Sequence, residues 1–168
     1  MSEMRALTIR PPWSHAIAFW GKDVENRTWA THYQGDIAIH AGKSPDDGAL
    51  EDWRIVSALT APGYEQIPFS LGKVVAVARL YDCHPIPDET GLSGCGTPAR
   101  DDRTCSLWAD ETGYHWRLRD IRPLRDPVPC KGALGLWRLP EDVEKAVRAQ
   151  LGRETTLAAL AGKDGEHG

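Results

Sequence analysis

Residues 72–81 read Gly-Lys-Val-Val-Ala-Val-Ala-Arg-Leu-Tyr, a run that is apolar at almost every position. A strand that is covered on both faces shows such a continuous run, whereas a half-exposed strand alternates apolar and polar residues. We therefore predict that this segment is a central strand of a sheet. Upstream, Gly35-Asp-Ile-Ala-Ile-His-Ala41 predicts a second apolar strand.

Shorter strand patterns surround these two, and helical patterns lie between them. Further strands are predicted at 5–10, 23–29, 114–118 with a continuation over 121–124, and 134–139; helices are predicted at 13–20, 46–59 and 141–151. Short spacings of this kind suit antiparallel pairing. We predict an α+β fold, a curled sheet or small barrel of about six strands with two to four peripheral helices.

Turn and cap residues set the expected ends of these helices. Gly21 stands where a left-handed cap belongs after the first helix, and Gly152 should stop the last one. Ser44-Pro45-Asp46-Asp47 is typical of a helix start. Residues 85–106 predict a long irregular loop, and the polar residues 163–168 predict a disordered tail.

Composition limits the classes of function. The 168 residues suffice for one domain, and no segment has the hydrophobic pattern of an export signal or a membrane span. We therefore expect a cytoplasmic protein. The net charge of −4 argues against a protein that coats nucleic acid by charge alone, but the acidity is uneven: residues 46–71 hold five acids and one base. Seven Trp against two Phe suit a cleft or an interface as well as a core, because Trp carries a polar N–H group.

The four cysteines give no close pair. Cys83, Cys95, Cys105 and Cys130 lack any Cys-x-x-Cys spacing, and without an export signal reduced thiols are expected. A zinc site made from these four, or from some of them with His84, is the alternative, because distant residues can converge. We expect neither a metal nor a cofactor.

Three motifs in the first 43 residues, and one near the end, resemble the ASCH domain family, named for activating signal cointegrator-1 homology. They are Ile9-Arg-Pro-Pro-Trp-Ser14, Gly21-Lys-Asp-Val-Glu-Asn-Arg-Thr-Trp29, Gly35 to Ala41, and Pro129-Cys-Lys-Gly-Ala-Leu-Gly-Leu-Trp137. The resemblance covers residues 5–140 without the insert at 85–106, and implies a PUA-like pseudo-barrel with a cleft that binds RNA or related nucleic acids. Residues 141–162 would then be a helical extension.

The segment 22–29 carries most of the candidate chemistry. Alternation places Asp23, Glu25, Arg27 and Trp29 on one face of a strand that we expect to be central. Charges there must pair or line a wet cleft, so Glu25 and Arg27 are either a buried strut or part of a binding site. Lys22, on the turn before the strand, can point into the same space.

Aromatic and basic residues elsewhere complete the candidate binding set. Trp13, made rigid by two preceding prolines, and Trp29 are either stacking platforms or core residues. His40 and Lys43 follow an apolar strand, and Arg117 belongs to the one basic cluster of the sequence. Trp53 is expected to pack its helix onto the sheet.

Particular residues favour two functions; a protein-interaction module that uses the helix 46–59 and the loop 85–106 is a third, supported only by the expected exposure of those segments. The first is a module that binds single-stranded RNA, another single-stranded nucleic acid or a nucleotide through these residues. The second is a hydrolase, because some branches of the family hydrolyse modified nucleosides such as N4-acylated cytidine or cut RNA. In the amidohydrolase branch the resemblance matches a catalytic lysine at Lys22, but Glu25 stands where that branch has threonine. Lys22 and Glu25 would then act as the charge-stabilising and acid–base groups.

Overall fold

The computed structural model describes residues 3–62, 69–86 and 105–161, with side chains up to residue 152. Most of the expected loop 85–106, including Cys95, and the expected tail 163–168 lie outside the described residues. The described chain forms one six-stranded sheet with α-helices and one short 3-10 helix around it. The predicted α+β class, with a curled sheet and peripheral helices, is confirmed.

The strands are β1 (Arg5–Ile9), β2 (Val24–Arg27), β3 (Gly35–Ala41), β4 (Lys73–Pro85), β5 (Tyr114–Pro129) and β6 (Leu136–Arg138). Their order across the sheet is β2-β5-β4-β3-β1-β6, and only β1 and β3 run parallel. β4 lies in the middle, as its apolar sequence predicted. β2 lies at an edge, so the expectation of a central strand there is wrong; its short polar sequence pairs with β5 alone.

The long pair β4 and β5 gives the sheet its curl. Their register shifts three times, and β5 passes through Asp120 at φ 49°. Register shifts of this kind raise the local twist and bend the strands. One long strand therefore replaces the predicted strand 114–118 and its separate continuation.

Helices cover both faces of the sheet. α1 (Trp13–Phe19) packs Ile17 and Ala18 against one face, where Ile39, Leu80 and Trp116 are buried. α3 (Glu141–Ala161) packs Val143 and Val147 against the other face. α3 continues through Gly152, so the predicted stop there is wrong, since a glycine weakens a helix by only about 1 kcal/mol.

The acidic segment after β3 is divided into two helices. A 3-10 helix spans Asp47–Glu51, and α2 spans Trp53–Thr60. The division comes at Asp52, whose side chain accepts a hydrogen bond from the backbone N–H of Arg54 and so caps α2. The single helix predicted over 46–59 is therefore two elements. Trp53 is 65% exposed, so its expected packing onto the sheet is wrong.

Candidate functional site

Lys22, Glu25 and Arg27 form a buried network at the start of β2. Lys22 is 2% exposed, and its Nζ lies 2.9 Å from Glu25 Oε2 and donates to the carbonyl of Val24. Arg27 Nη2 lies 3.0 Å from Glu25 Oε1 and donates to the Thr8 carbonyl at 3.1 Å. One carboxylate therefore holds two cations, one on each oxygen.

The local sequence explains this arrangement. Gly21 adopts φ 73°, a conformation that costs glycine little, and it ends α1 as predicted. The turn directs Lys22 back over the helix end, where its backbone N–H donates to Ala16. In the β2–β5 ladder Glu25 stands opposite Trp116, so its carboxylate lies on the face of the sheet that α1 covers.

A line of aromatic and cationic side chains continues from this network. Lys22 Nζ lies 6.0 Å from the Trp13 ring centre, and the guanidinium of Arg54 lies 5.9 Å from the same ring. On its other side Arg54 lies 5.8 Å from the Trp108 ring. Distances of this size are typical of cation–π contacts. We call Trp108, Arg54, Trp13 and Lys22 the aromatic–cation line.

Ion pairs hold Arg54 in place within this line. Its guanidinium lies 2.5 Å from Asp52 and 3.0 Å from Asp110, and these acids raise the pKa of Arg54 above its ordinary value. The indole N–H of Trp13 donates to Asp46 at 2.9 Å. The ring of Trp13 is thus half-buried and fixed at both its face and its edge.

A shallow groove of about 290 Å³ lies beside the line. Its walls are mainly apolar and carry three tryptophans; the lining residues are Trp20, Trp53, Arg54, Ser57, Ala58, Leu107 and Trp108. Trp53 and Leu107 are largely exposed. Trp20, Trp53, Arg54 and Trp108 were missed as site residues from the sequence, because their approach depends on the loop at 105–113 folding back onto α2.

The other sequence-predicted residues lie away from the network. Trp29 is 37% exposed and packs edge-on against Trp116 at 4.5 Å. Arg117 follows Trp116 directly in β5 and so points to the opposite face, where Arg117 and Arg119 flank the Tyr81 ring. The structure therefore does not join Arg117 to Lys22.

His40 and Lys43 are also separate from the network. His40 follows the core residue Ile39 and points to the α3 face, where its Nε2 bonds to the Cys130 carbonyl and its ring meets Trp137. Burial lowers the pKa of His40, and the charge of Lys43 lowers it further. Lys43 itself is exposed. His40 is therefore a buried neutral imidazole and not part of an open cleft.

A second cluster of polar side chains lies at the far ends of β4 and β5. His84 and His115 are cross-strand partners, and Cys105 joins them so that one ligand atom of each lies within 4.8 Å of the others. The zinc alternative considered from the sequence used the four cysteines, or some of them with His84. The side chains that meet here are instead two histidines and one cysteine. Cys83 accepts from the Thr31 N–H, and Cys130 donates to the Lys131 carbonyl.

The chain is similar to two solved structures at low sequence identity. The crystal structure of ASCH from Zymomonas mobilis is similar at 16% identity and TM-score 0.49, covering 88% of this chain and 94% of that one. A Tyr-to-Phe variant of that protein matches at 15% identity and TM-score 0.48, covering 88% and 98%. Both carry the name of the family that the sequence motifs resemble. No family profile and no curated protein matches the chain.

Within the described residues, no helix combines the length and the apolar character that a membrane crossing requires.

Proposed function

We propose that this chain is a cytoplasmic ASCH-domain protein that binds single-stranded RNA, or a nucleotide, along the aromatic–cation line. One observation carries the proposal: indole rings and cations alternate from Trp108 through Arg54 and Trp13 to Lys22, beside a groove with an exposed tryptophan. Proteins that bind single strands combine these same two elements, rings that stack on bases and cations that follow the backbone.

The side chains differ in the role that they would have. Trp53, 65% exposed, is the ring best placed to stack on an incoming base. Arg54 is held by two acids and two rings, so it would meet the ligand in a fixed orientation. Arg27 keeps 23% of its side chain exposed while Glu25 and Thr8 hold its Nη2, so the exposed part of its guanidinium would meet a phosphate or a base.

Size and charge limit the ligand. A groove of about 290 Å³ lies at the lower end of ligand-pocket volumes, which start near ~300 Å³, so it suits one base and not a duplex. Two acids neutralise Arg54, and the chain carries a net charge of −4. We therefore expect few phosphate contacts and a shallow dependence of affinity on salt.

The proposal is tested by titrating a fluorescent ten-nucleotide single-stranded RNA, and the same sequence as DNA, with the full chain and reading anisotropy. We expect dissociation constants in the micromolar range and a loss of roughly 5- to 150-fold for Trp53→Ala, the cost of about 1–3 kcal/mol per stacked base. Leu134→Ala is the matched control, because Leu134 is 97% exposed and does not line the groove.

Two results would overturn the proposal. One is the absence of binding to either oligonucleotide at protein concentrations 100-fold above the micromolar range. The other is an equal loss for Trp53→Ala and Leu134→Ala. Stronger binding of the DNA than of the RNA would overturn the preference for RNA alone.

A second candidate, a hydrolase of N4-acylated cytidine or of RNA, has one observation in its favour. The Lys22 ammonium and the Glu25 carboxylate lie 2.9 Å apart in a buried setting, where charge is worth more than in water. Against it, Lys22 and Arg27 already occupy both oxygens of Glu25. Turnover of N4-acetylcytidine, or RNA cleavage, that Lys22→Ala abolishes while binding persists would favour the enzyme.

A further inference from the structure

We propose that His84, Cys105 and His115 bind a zinc ion. The side chains offer two imidazoles and one thiol, and one donor atom of each lies within 4.8 Å of the other two. Cys105 Sγ is 3.3 Å from His115 Nδ1, close to the separation of two ligands on one tetrahedral zinc. The ligand set lies outside the Lys22–Glu25–Arg27 network, and the proposal does not depend on nucleic-acid binding.

The sheet brings the two histidines together. His84 near the end of β4 and His115 near the start of β5 are directly opposed in the ladder, with ring centres 5.4 Å apart. Both are buried, at 8% and 0% exposure. Neighbouring residues Cys83 and Trp116 belong to the α1 face, so both imidazoles point to the other face, where Cys105 meets them.

Each histidine is oriented by a further contact of the kind found behind metal ligands. His84 Nδ1 lies 2.6 Å from the Asp82 carboxylate, so Nε2 would be the nitrogen that coordinates the ion. His115 Nε2 lies 2.8 Å from the Asp110 carbonyl, so Nδ1, which contacts Cys105 Sγ, would be the nitrogen that coordinates the ion. A carboxylate or carbonyl on the second ring nitrogen fixes the tautomer and raises the basicity of the ligand.

The donor set selects the metal by its chemistry. Imidazole nitrogens with a thiolate suit zinc, whereas magnesium and calcium prefer oxygen. On binding, the Cys105 thiol gives its proton to solvent and the sulfur forms the bond to the metal. His84, Cys105 and His115 supply three of the four ligands that a tetrahedral zinc takes.

The ion would fix the segment 105–113 to the sheet. Trp108 lies three residues after Cys105, and its carbonyl accepts from Asn26 at 2.9 Å, while Asp110 holds both Arg54 and Asn26. A metal bond at Cys105 would thus anchor the wall of the groove that Trp108 forms. The functional value of this anchoring rests on the proposed function, whereas the metal site itself does not.

The test uses the full chain purified without chelator, exchanged into zinc and dialysed. Elemental analysis should find about one zinc per chain, and cobalt exchange should give visible bands of a tetrahedral site with a sulfur-to-cobalt band. Cys105→Ser and His84→Ala should each lower zinc affinity by more than 100-fold. Cys130→Ser, which removes a thiol elsewhere, should keep it.

Each result decides the proposal. Stoichiometric zinc with tetrahedral cobalt bands, lost in Cys105→Ser and kept in Cys130→Ser, supports it, and a melting temperature that EDTA lowers in the wild type adds to that support. A wild-type chain that retains no zinc after dialysis overturns it, whether or not the variants fold. Equal loss of zinc in Cys105→Ser and Cys130→Ser would also overturn it.

Discussion

Two buried polar regions of this protein are built in opposite ways. At β2, Lys22, Glu25 and Arg27 lie within six residues of sequence, carry opposite charges, and satisfy one another. At the ends of β4 and β5, His84, Cys105 and His115 are spread over 32 residues and bring two imidazoles and one thiol together. In the first region the buried charges compensate one another. In the second region the buried donor atoms would bind the proposed cation.

The largest effect should come from breaking the self-compensated region at its centre. Glu25→Ala leaves Lys22 and Arg27 without their shared carboxylate, and removing one partner of a buried ion pair costs roughly 3–5 kcal/mol. Urea unfolding followed by circular dichroism measures this loss. Arg125→Ala, which truncates an exposed arginine of β5, is the control and should change the free energy of unfolding by less than about 0.5 kcal/mol.

A loss below about 1 kcal/mol for Glu25→Ala would mean that the network is not the strut that its burial implies. Lys22→Met refines the result, because it keeps the Glu25–Arg27 pair and replaces a buried ammonium by an apolar chain. It should cost less than Glu25→Ala.

His15 provides a reference for both regions, since it is buried without an ionic partner. Burial lowers the pKa of His15 from 6.5 to about 4, and the Ser70 N–H donates to its Nε2 at 2.9 Å, a bond that the imidazolium cannot accept. The folded state therefore resists protonation. The contribution of neutral His15 to the free energy of unfolding is complete above pH 6.5. This contribution should fall by about 3 kcal/mol as the pH drops from 6.5 to about 4.

Urea midpoints at a series of pH values, for the wild type and His15→Gln, measure this contribution. The variant should lose less stability over that interval than the wild type does. His32→Gln, at an exposed position, should keep the wild-type slope. Parallel curves for the wild type and His15→Gln would contradict the assignment.

Gly113 lies between the two regions, two residues before His115 and against the backbone of Arg27. Its substitution should therefore lower the free energy of unfolding. Its φ is 85°, and an added Cβ would collide with the backbone oxygen of Arg27. Gly113→Ala should therefore cost about 2–3 kcal/mol, more than strain alone. Gly135→Ala is a matched control with φ 68° and open space around the new Cβ, and should cost roughly 1–2 kcal/mol. Equal losses, measured by urea unfolding, would show that the chain does not meet Arg27 closely here.

The smallest effect should come from removing the contact between Asp82 and His84 in the second region. Asp82→Ala removes the carboxylate that orients His84, and such changes lower metal affinity by about 10–100-fold. Competition with a zinc chelator measures the change. Asp120→Ala, an exposed acid of β5, should leave zinc affinity unchanged. A loss above 100-fold would make Asp82 a ligand itself and not a positioning residue.

The contrast between the regions also explains what could be predicted from the sequence. The closeness of Lys22, Glu25 and Arg27 follows from turn and strand spacing, so their meeting was predictable, although the edge position of β2 was not. Edge or centre depends on which strands pair, and β2 pairs with β5, almost ninety residues later. For the same reason the meeting of His84 with His115 needed the register of β4 and β5.

The groove was hidden for a related reason. A tryptophan in a helix is usually buried, which predicts a core position for Trp53, but this side chain is 65% exposed at the start of α2. Trp108 follows the long insert and contacts α2 through Arg54, which pairs with Asp52 nearby in sequence and with Asp110, 56 residues later. Composition predicted an aromatic surface, but only the fold shows which rings form it.

The two ends of the sheet have a consequence for association between copies of the chain. β2 has four residues and β6 has three, whereas the interior strands β4 and β5 have 13 and 16. Long flat edges offer unpaired backbone groups to other chains and promote aggregation, and short charged edges prevent such pairing. The shortness of both edge strands, with the exposed Arg138 on β6, thus disfavours growth of the sheet from one molecule into the next.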